Sequence, residues 1–332
     1  MVLVTGGTGL VGAHLLLYLL EEGKSVRAIY RNLDTLQKTK SLFQLYQKED
    51  LFQKIDWLEA DILDVPSLEI AFENVEYVYH CAGYISFDPK KENLLRKTNI
   101  EGTANIVNFC IAKNVQKLCH VSSIAALGDL AQNETIISET SEWNPETYHS
   151  DYAISKYGAE MAVWRGFQEG LSVIIVNPAV ILGPTIWSAG SGAIFTKVKK
   201  GLSFYTKGQT GYVAVNDVAK TMIQLMQSSI SGERFCLVAE HFTYEKIITT
   251  IAKKIGTKPP TFYVKPWLTN VFWRIDWLLS IFFGKKRTMS KFAATTIHSI
   301  DWYAHDKIKN ALNFEFQSID SVIEEIIRAA KK

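Results

Sequence analysis

Apolar and polar positions follow two rhythms in the first half of this chain. Short, mostly apolar runs fall at 2–5, 25–30, 56–59, 77–81, 117–122 and 172–177. Between them, apolar positions recur every three or four residues at 10–22, 33–47, 67–72, 93–113 and 152–169. Strand then helix, repeated, predicts an α/β fold: a parallel, doubly wound sheet with helices on both faces. Such sheets bind ligands beyond the carboxyl ends of their strands, so functional residues are expected there. After Pro178 the rhythm breaks, and Gly183, Pro184, Gly190, Gly192, Gly201, Gly208 and Gly211 punctuate the chain. Helices are predicted at 216–227 and 244–254, with a mostly helical end.

The join between the first strand and the first helix reads Thr5-Gly6-Gly7-Thr8-Gly9-Leu10-Val11-Gly12. Gly6 permits a tight turn, Gly9 lets a pyrophosphate approach the backbone, and Gly12 lets the helix pack closely on the strand. The helix start at Leu10 and Val11 then offers N–H groups to phosphates. A GxxGxxG placed after a strand and opening a helix predicts a dinucleotide site. The expected fold is therefore Rossmann-type, with a smaller, mostly helical C-terminal substrate lobe. The NAD(P)-binding domain is expected over 1–180, with 211–240 returning to it, and the lobe over 181–332. No acid ends the second strand; Arg31 does, with Lys38 further along the next helix. Cations there suit a 2′-phosphate, so NADPH/NADP+ is expected ahead of NAD. Asp61-Ile62 follows the third strand, where a carboxylate can accept from an adenine amino group.

Tyr152-Ala153-Ile154-Ser155-Lys156 is a YxxxK. On a helix its Tyr and Lys share one face. An ammonium beside a phenol favours the phenolate, which suits Tyr152 to proton transfer at a carbonyl or alcohol oxygen. The fifth strand ends in Ser122-Ser123, and Ser123 is the preferred hydroxyl for holding that oxygen.

Taken together these residues resemble the extended short-chain dehydrogenases/reductases over almost the whole chain. Further marks are His80-Cys81-Ala82-Gly83, Asn99-Ile100-Glu101-Gly102-Thr103, Asn177-Pro178 and Tyr212-Val213-Ala214-Val215-Asn216-Asp217-Val218-Ala219. The run Val26-Arg27-Ala28-Ile29-Tyr30-Arg31 is similar to the VRATVR of the dihydroflavonol 4-reductase-like branch, whose last Arg contacts the 2′-phosphate. Lys38 sits at the spacing of that branch's second phosphate-binding cation. Pro178 and Val180 lie in a segment that lines the nicotinamide in that branch. The resemblance implies reduction of a ketone or aldehyde by NADPH. Tyr152 would protonate the oxygen, Ser123 would hold it, and Lys156 would bind the nicotinamide ribose. Asn99 would anchor a water in the proton relay, and Ala82 and Gly83 would flank the cofactor. Three alternatives stay open: a nucleotide-sugar epimerase or dehydratase, a 3β-hydroxysteroid dehydrogenase-like enzyme, and a non-catalytic NADP sensor. Ala126-Leu127-Gly128 lacks the Tyr usual in sugar epimerases, and Ser122-Ser123-Ile124-Ala125 lacks the acid usual in dehydratases. Both departures count against the sugar reading.

Composition and charge narrow the rest. A formal net charge of +2 on 332 residues implies no polyanion partner, and no basic stripe interleaved with aromatics suggests nucleic acid. Cys81, Cys110, Cys119 and Cys236 form no CxxC pair, and the seven His show no metal-ligand spacing, so reduced thiols, no metal and a cytoplasmic location are expected. The partner expected is a small, hydrophobic carbonyl substrate, with a homodimer as a family expectation. The stretch 267–283 is very rich in aromatics and reads as an amphipathic helix. Packing inside the substrate lobe is the favoured expectation. A membrane-surface helix over 267–287, with Gly284-Lys285-Lys286-Arg287 as basic flank, is the alternative.

Overall fold

The computed structural model of the chain describes residues 1–184, 190–282 and 289–331. Its strands are β1 (Val2–Thr5), β2 (Val26–Tyr30), β3 (Asp56–Glu59), β4 (Tyr77–His80), β5 (Lys117–Val121) and β6 (Val173–Pro178). Then follow β7 (Val180–Leu182), β8 (Phe204–Tyr205), β9 (Gln209–Ala214), β10 (Glu233–Leu237), β11 (Glu240–Thr243) and β12 (Phe262–Tyr263). Seven of them form one sheet in the order β3-β2-β1-β4-β5-β6-β10, and every neighbouring pair is parallel. The order reverses between β1 and β4, which opens a crevice at the carboxyl edge of those strands. This is the doubly wound α/β fold that the strand–helix alternation predicts.

Both faces of the sheet are covered, which is why its central strands are mostly apolar. Along β1, Val2 and Val4 enter one core and Leu3 the other. The first core lies under the helices Leu10–Glu21 and Val215–Gln227, which pack against each other. The second lies under Val65–Ala71, Gly102–Ala112 and Asp151–Gln168. Residues 215–237 thus give the main layer a helix and its edge strand β10.

A second unit is built on the three-stranded sheet β11-β9-β7. The helices Tyr244–Ile255 and Ile319–Ala329 cover it, with a core of its own that includes Phe195, Ile251 and Ile323. Strands β8 and β12 pair beside it.

Three elements differ from the periodicity. The helix expected over 33–47 begins as a 3₁₀ turn, Leu33–Thr35, capped by Asn32, and becomes α-helical only over Leu36–Leu45. The helix expected over 93–113 runs from Glu92 to Ala112, but loosens into a π-turn at Lys97–Glu101. The helix expected over 267–283 is present as Pro266–Phe282, yet it is not packed inside the lobe: Thr269 is its one buried residue. Phe283 and the flank Gly284-Lys285-Lys286-Arg287 lie outside the described residues.

Candidate active site

The glycine turn is built for close approach. Gly6 sits at φ +69°, and a Cβ there would lie 2.6 Å from the Ala82 amide nitrogen. A Cβ on Gly12 would lie 2.2 Å from the Gly6 carbonyl oxygen. Those two glycines are required by the protein's own backbone. Gly9 differs: it is exposed, and a Cβ there would meet only the Gly6 carbonyl, at 3.3 Å. Gly9 therefore leaves an open cradle in front of the helix Leu10–Glu21. That helix start has no side-chain cap and no acid in its first turn. The N–H groups at Leu10, Val11 and Gly12 fit a pyrophosphate, by donor type and by dipole.

Behind the cradle, a buried imidazole fixes the spacing of β1 and β4. His80 Nδ1 lies 2.7 Å from Thr5 Oγ1, and its Nε2 lies 2.9 Å from Thr103 Oγ1. Burial lowers its pKa to about 3, so the ring stays neutral. Thr5 Oγ1 also accepts from the Ala82 amide at 3.2 Å, which starts the Ala82-Gly83 segment in the crevice. Thr5, His80 and Thr103 each lie in a stretch that carries the family resemblance, but their mutual contact leaves no spacing signal.

At the edge of the sheet, Arg31 Nη1 lies 3.8 Å from Asp61 Oδ2, with Arg31 exposed and Asp61 half-buried. The pairing of β2 with β3 sets these two side by side. Asp61 Oδ1 also accepts from the Leu63 amide at 3.0 Å. Ile62 is buried against Gly102, where a Cβ would come within 2.5 Å of its Cδ1. Lys38 is exposed, and its neighbour Thr39 donates to the Gly7 carbonyl at 3.1 Å, tying that helix to the turn.

The polar residues converge beyond β5. Ser150 caps the helix Asp151–Gln168 by accepting from the Ala153 amide, which places Tyr152 in the first turn. Trp143 stacks between His149 and Tyr157, with ring centroids 3.8 and 4.3 Å away, and holds the preceding loop to that helix. Ser123 follows β5 and its hydroxyl sits beside the Tyr152 phenol, where it favours the phenolate. Burial pushes the Tyr152 pKa up, and the Ser123 hydrogen bond opposes this. The lowering expected from Lys156 is not what is found, because the lysine is engaged elsewhere. Lys156 Nζ donates to the Val121 carbonyl at 2.8 Å. Burial lowers the Lys156 pKa to about 8, against the opposing charge of Glu160.

Asn99 occupies the π-turn and is buried. Its Nδ2 donates to the Tyr84 carbonyl and to Ser155 Oγ, both at 2.9 Å, and its Oδ1 accepts from the Tyr84 amide at 2.7 Å. It clamps the segment after Gly83 to the Tyr152 helix. The space over Gly83 lies 3.6 Å from Asn99 Oδ1 and 3.9 Å from Lys156 Nζ. A π-turn widens the backbone locally and is a frequent mark of functional sites.

One turn beyond Lys156, Glu160 is fully buried. It accepts from Asn177 Nδ2 at 2.5 Å and pairs with Arg234 at 3.3 Å. Burial raises its pKa, while Ser122, Arg234, Asn177 and Lys156 all pull it down. Asn177 Nδ2 donates again to the Ser123 carbonyl at 2.9 Å, so the end of β6 is joined to the end of β5. Pro178 is buried, and Val180 opens β7 beside Tyr212. The sequence reading missed Glu160 and Arg234, although the i, i+4 spacing from Lys156 to Glu160 was a usable signal. It also missed Phe87, whose ring meets Tyr152 edge-on at 5.7 Å and forms an exposed apolar wall.

Among the described residues no group of His, Cys, Asp or Glu could hold a metal ion. The chain is 27% identical over 269 residues to cinnamoyl-CoA reductase 1 from Petunia hybrida, covering 78% of each. It is 28% identical over 279 residues to dihydroflavonol 4-reductase from Gerbera hybrida, covering 79% of this chain and 74% of the relative. Its fold matches the crystal structure of UDP-glucose 4-epimerase from Thermotoga maritima with a TM-score of 0.76 at 20% identity, over 99% of this chain and 98% of that one. With residues 2–237 matching its description, the chain belongs to the NAD dependent epimerase/dehydratase family, the extended short-chain dehydrogenases/reductases.

Proposed function

We propose that this chain is an NADPH-dependent reductase of a hydrophobic ketone or aldehyde. The observation that carries the reading is the meeting of the Ser123 and Tyr152 hydroxyls at the carboxyl edge of β5, with Phe87 as an apolar wall beside them. A nicotinamide bound here supplies a hydride. Gly6, Gly9, Leu10, Val11 and Gly12 would hold the diphosphate, and Arg31 with Lys38 the 2′-phosphate. Asp61 and Ile62 would meet the adenine. Ala82, Gly83, Pro178 and Val180 would flank the nicotinamide end, with Tyr152 and Lys156 on the ribose.

The phenol's raised pKa suits a proton donor, since Tyr152 stays protonated at neutral pH. Ser123 accepts from the Ala125 amide at 3.1 Å, which orients its hydroxyl. It then holds the substrate oxygen while Tyr152 Oη delivers the proton to it. Lys156 Nζ, 3.9 Å from the space over Gly83, would hold the nicotinamide ribose there. Asn99 keeps Lys156 and the Gly83 segment in register. The two reductase relatives support the reaction class, and the family supports the cofactor.

The test is turnover with NADPH and with NADH across aromatic aldehydes, flavonoid-like ketones, steroids and nucleotide sugars. Carbonyl reduction with NADPH ahead of NADH is expected, and Tyr152→Phe should lower kcat by about 10²–10⁴-fold. Turnover of nucleotide sugars alone, or full turnover by Tyr152→Phe, would sink the reading. Tight NADPH binding with no turnover of any compound would favour a sensor.

A further inference from the structure

The helix Pro266–Phe282 exposes most of its apolar side chains. Of the residues it exposes, only Asn270 and Arg274 are polar. Trp267, Val271, Phe272, Ile275, Leu278 and Phe282 are between 43% and 75% exposed. The face turned to the protein is mixed: it carries Thr269, Asp276 and Ser280 together with the half-buried Leu268, Trp273 and Leu279. Thr269 Oγ1 bonds with the Ala294 carbonyl and lies 3.0 Å from His298 Nε2, and Asp276 accepts from the Met289 amide at 3.1 Å. These bonds seat the helix on the short helix Lys291–Thr296 and fix the apolar face outward. An exposed apolar surface of this size in one stretch marks a place where something else binds.

Charge says what. Between 255 and 300 there are seven Lys and Arg and one acid, Asp276, in a chain whose net charge is only +2. The rest of the molecule is therefore net negative. Lys265 precedes the helix, Lys291 stands on the helix beside it, and both are exposed. Arg274 lies within the apolar face, with its guanidinium 4.7 Å above the Trp273 ring. A second copy fits this face poorly, since a two-fold contact brings together two faces that are each net cationic. Among the described residues no helix is long and apolar enough to cross a membrane. An apolar stripe rich in Trp, edged by cations and too short to span, has the chemistry of a helix lying in a lipid interface.

We propose that this face docks on the surface of an anionic phospholipid bilayer. The helix lies in the plane of the interface with its apolar side chains at the acyl boundary. Lys265, Arg274 and Lys291 reach the lipid phosphates, Arg274 by lifting its guanidinium past the rings. The proposal is independent of the carbonyl-reductase reading, and either stands if the other fails.

The experiment is co-sedimentation of the full chain with phosphatidylcholine vesicles, with and without phosphatidylglycerol. It is paired with quenching of Trp emission by lipids brominated in the acyl chain. Pelleting with the anionic vesicles and quenching by brominated lipid are expected. Both should weaken as salt rises from about 0.01 M to about 1 M, where the screening length falls from about 30 Å to about 3 Å. A Phe272→Asp/Ile275→Asp variant should lose at least about tenfold in partitioning, with circular dichroism and an unchanged Tm as the check on folding. The quenching arm uses the unaltered chain and does not depend on that variant folding. No pelleting at low salt, no quenching, or equal partitioning by the folded variant would overturn the proposal. Self-association through this face with no vesicle binding would overturn it too, in favour of a second copy.

Discussion

Two helices of this molecule break the rule that polar residues face water and apolar residues face the core, and they break it in opposite senses. The helix Asp151–Gln168 turns Ser155, Lys156 and Glu160 inward. The helix Pro266–Phe282 turns most of its apolar residues outward. In the first, each inward polar group has a partner: Ser155 with Asn99 and the Tyr152 carbonyl, Lys156 with the Val121 carbonyl, Glu160 with Asn177 and Arg234. Buried charges cost more than an apolar core of the same volume, so a chain that keeps them is using their chemistry. In the second helix the outward groups find no match within the described chain. Buried polarity therefore locates chemistry inside the protein, and exposed apolarity points to a partner outside it.

The sharpest way to break the first half of this comparison is to remove Glu160. Glu160→Leu leaves Arg234 and Lys156 without their buried carboxylate. Urea unfolding should show a loss of about 3–5 kcal/mol. A loss below about 1 kcal/mol would mean that the inward charges are not coupled. Asn99→Ala should cost less, about 1–3 kcal/mol, by stranding the Tyr84 amide and carbonyl and Ser155. It should also lower turnover, because the Gly83 segment and Lys156 lose their common tie.

Glu160→Gln keeps the shape and removes the charge, so it is read best through pH. Burial has lowered the Lys156 pKa from 10.5 to about 8, and Glu160 resists that fall. Turnover that needs the Lys156 cation should decline as pH rises past about 8, and Glu160→Gln should move that decline to lower pH. Stability runs the other way. Between about 8 and 10.5 the unfolded chain binds the proton that the folded one has released. The burial cost of Lys156 is therefore present in full below about 8 and is relieved as pH climbs through that window. An alkaline limb that stays in place in Glu160→Gln would separate Glu160 from Lys156.

Much of the fold was legible, because the central strands β1, β5 and β6 are buried on both faces and read as short, mostly apolar runs. The glycine turn was legible for a related reason: Gly6 and Gly12 are dictated by backbone contacts at 2.6 and 2.2 Å, which no side chain can meet. The spacing of Tyr152 and Lys156 placed them on one helix face. Pairings over long separations were not legible. Glu160 meets Arg234 across 74 residues and Thr5 meets His80 across 75, and neither distance leaves a periodic trace. Nor was the π-turn at Lys97–Glu101, since one extra residue in a turn shifts the period too little to see. Arg31 and Asp61 were singled out separately, but their approach to 3.8 Å comes from the pairing of β2 with β3. For Pro266–Phe282, periodicity gave an apolar face without saying which way it turned. The direction is set by Thr269 and Asp276, whose bonds to His298, Ala294 and Met289 need the folded lobe.

The smallest expected effect is the most discriminating for that helix. Ile275→Ala should change stability by no more than about 0.5 kcal/mol, as at an ordinary surface position. Ile275 is 49% exposed, so truncation opens no cavity, and Ala is the better helix former. Ile247→Ala, on the neighbouring helix Tyr244–Ile255, removes the same atoms from a fully buried site and should cost about 2–5 kcal/mol. The two variants differ in environment and not in chemistry, so their ratio measures how far the outward face lies from any core of the free protein. Equal costs would mean that Ile275 is packed in solution, and the contrast between the two helices would fail. A near-zero cost for Ile275→Ala together with weaker partitioning into anionic vesicles is the pair of results that only an outward, lipid-directed face produces.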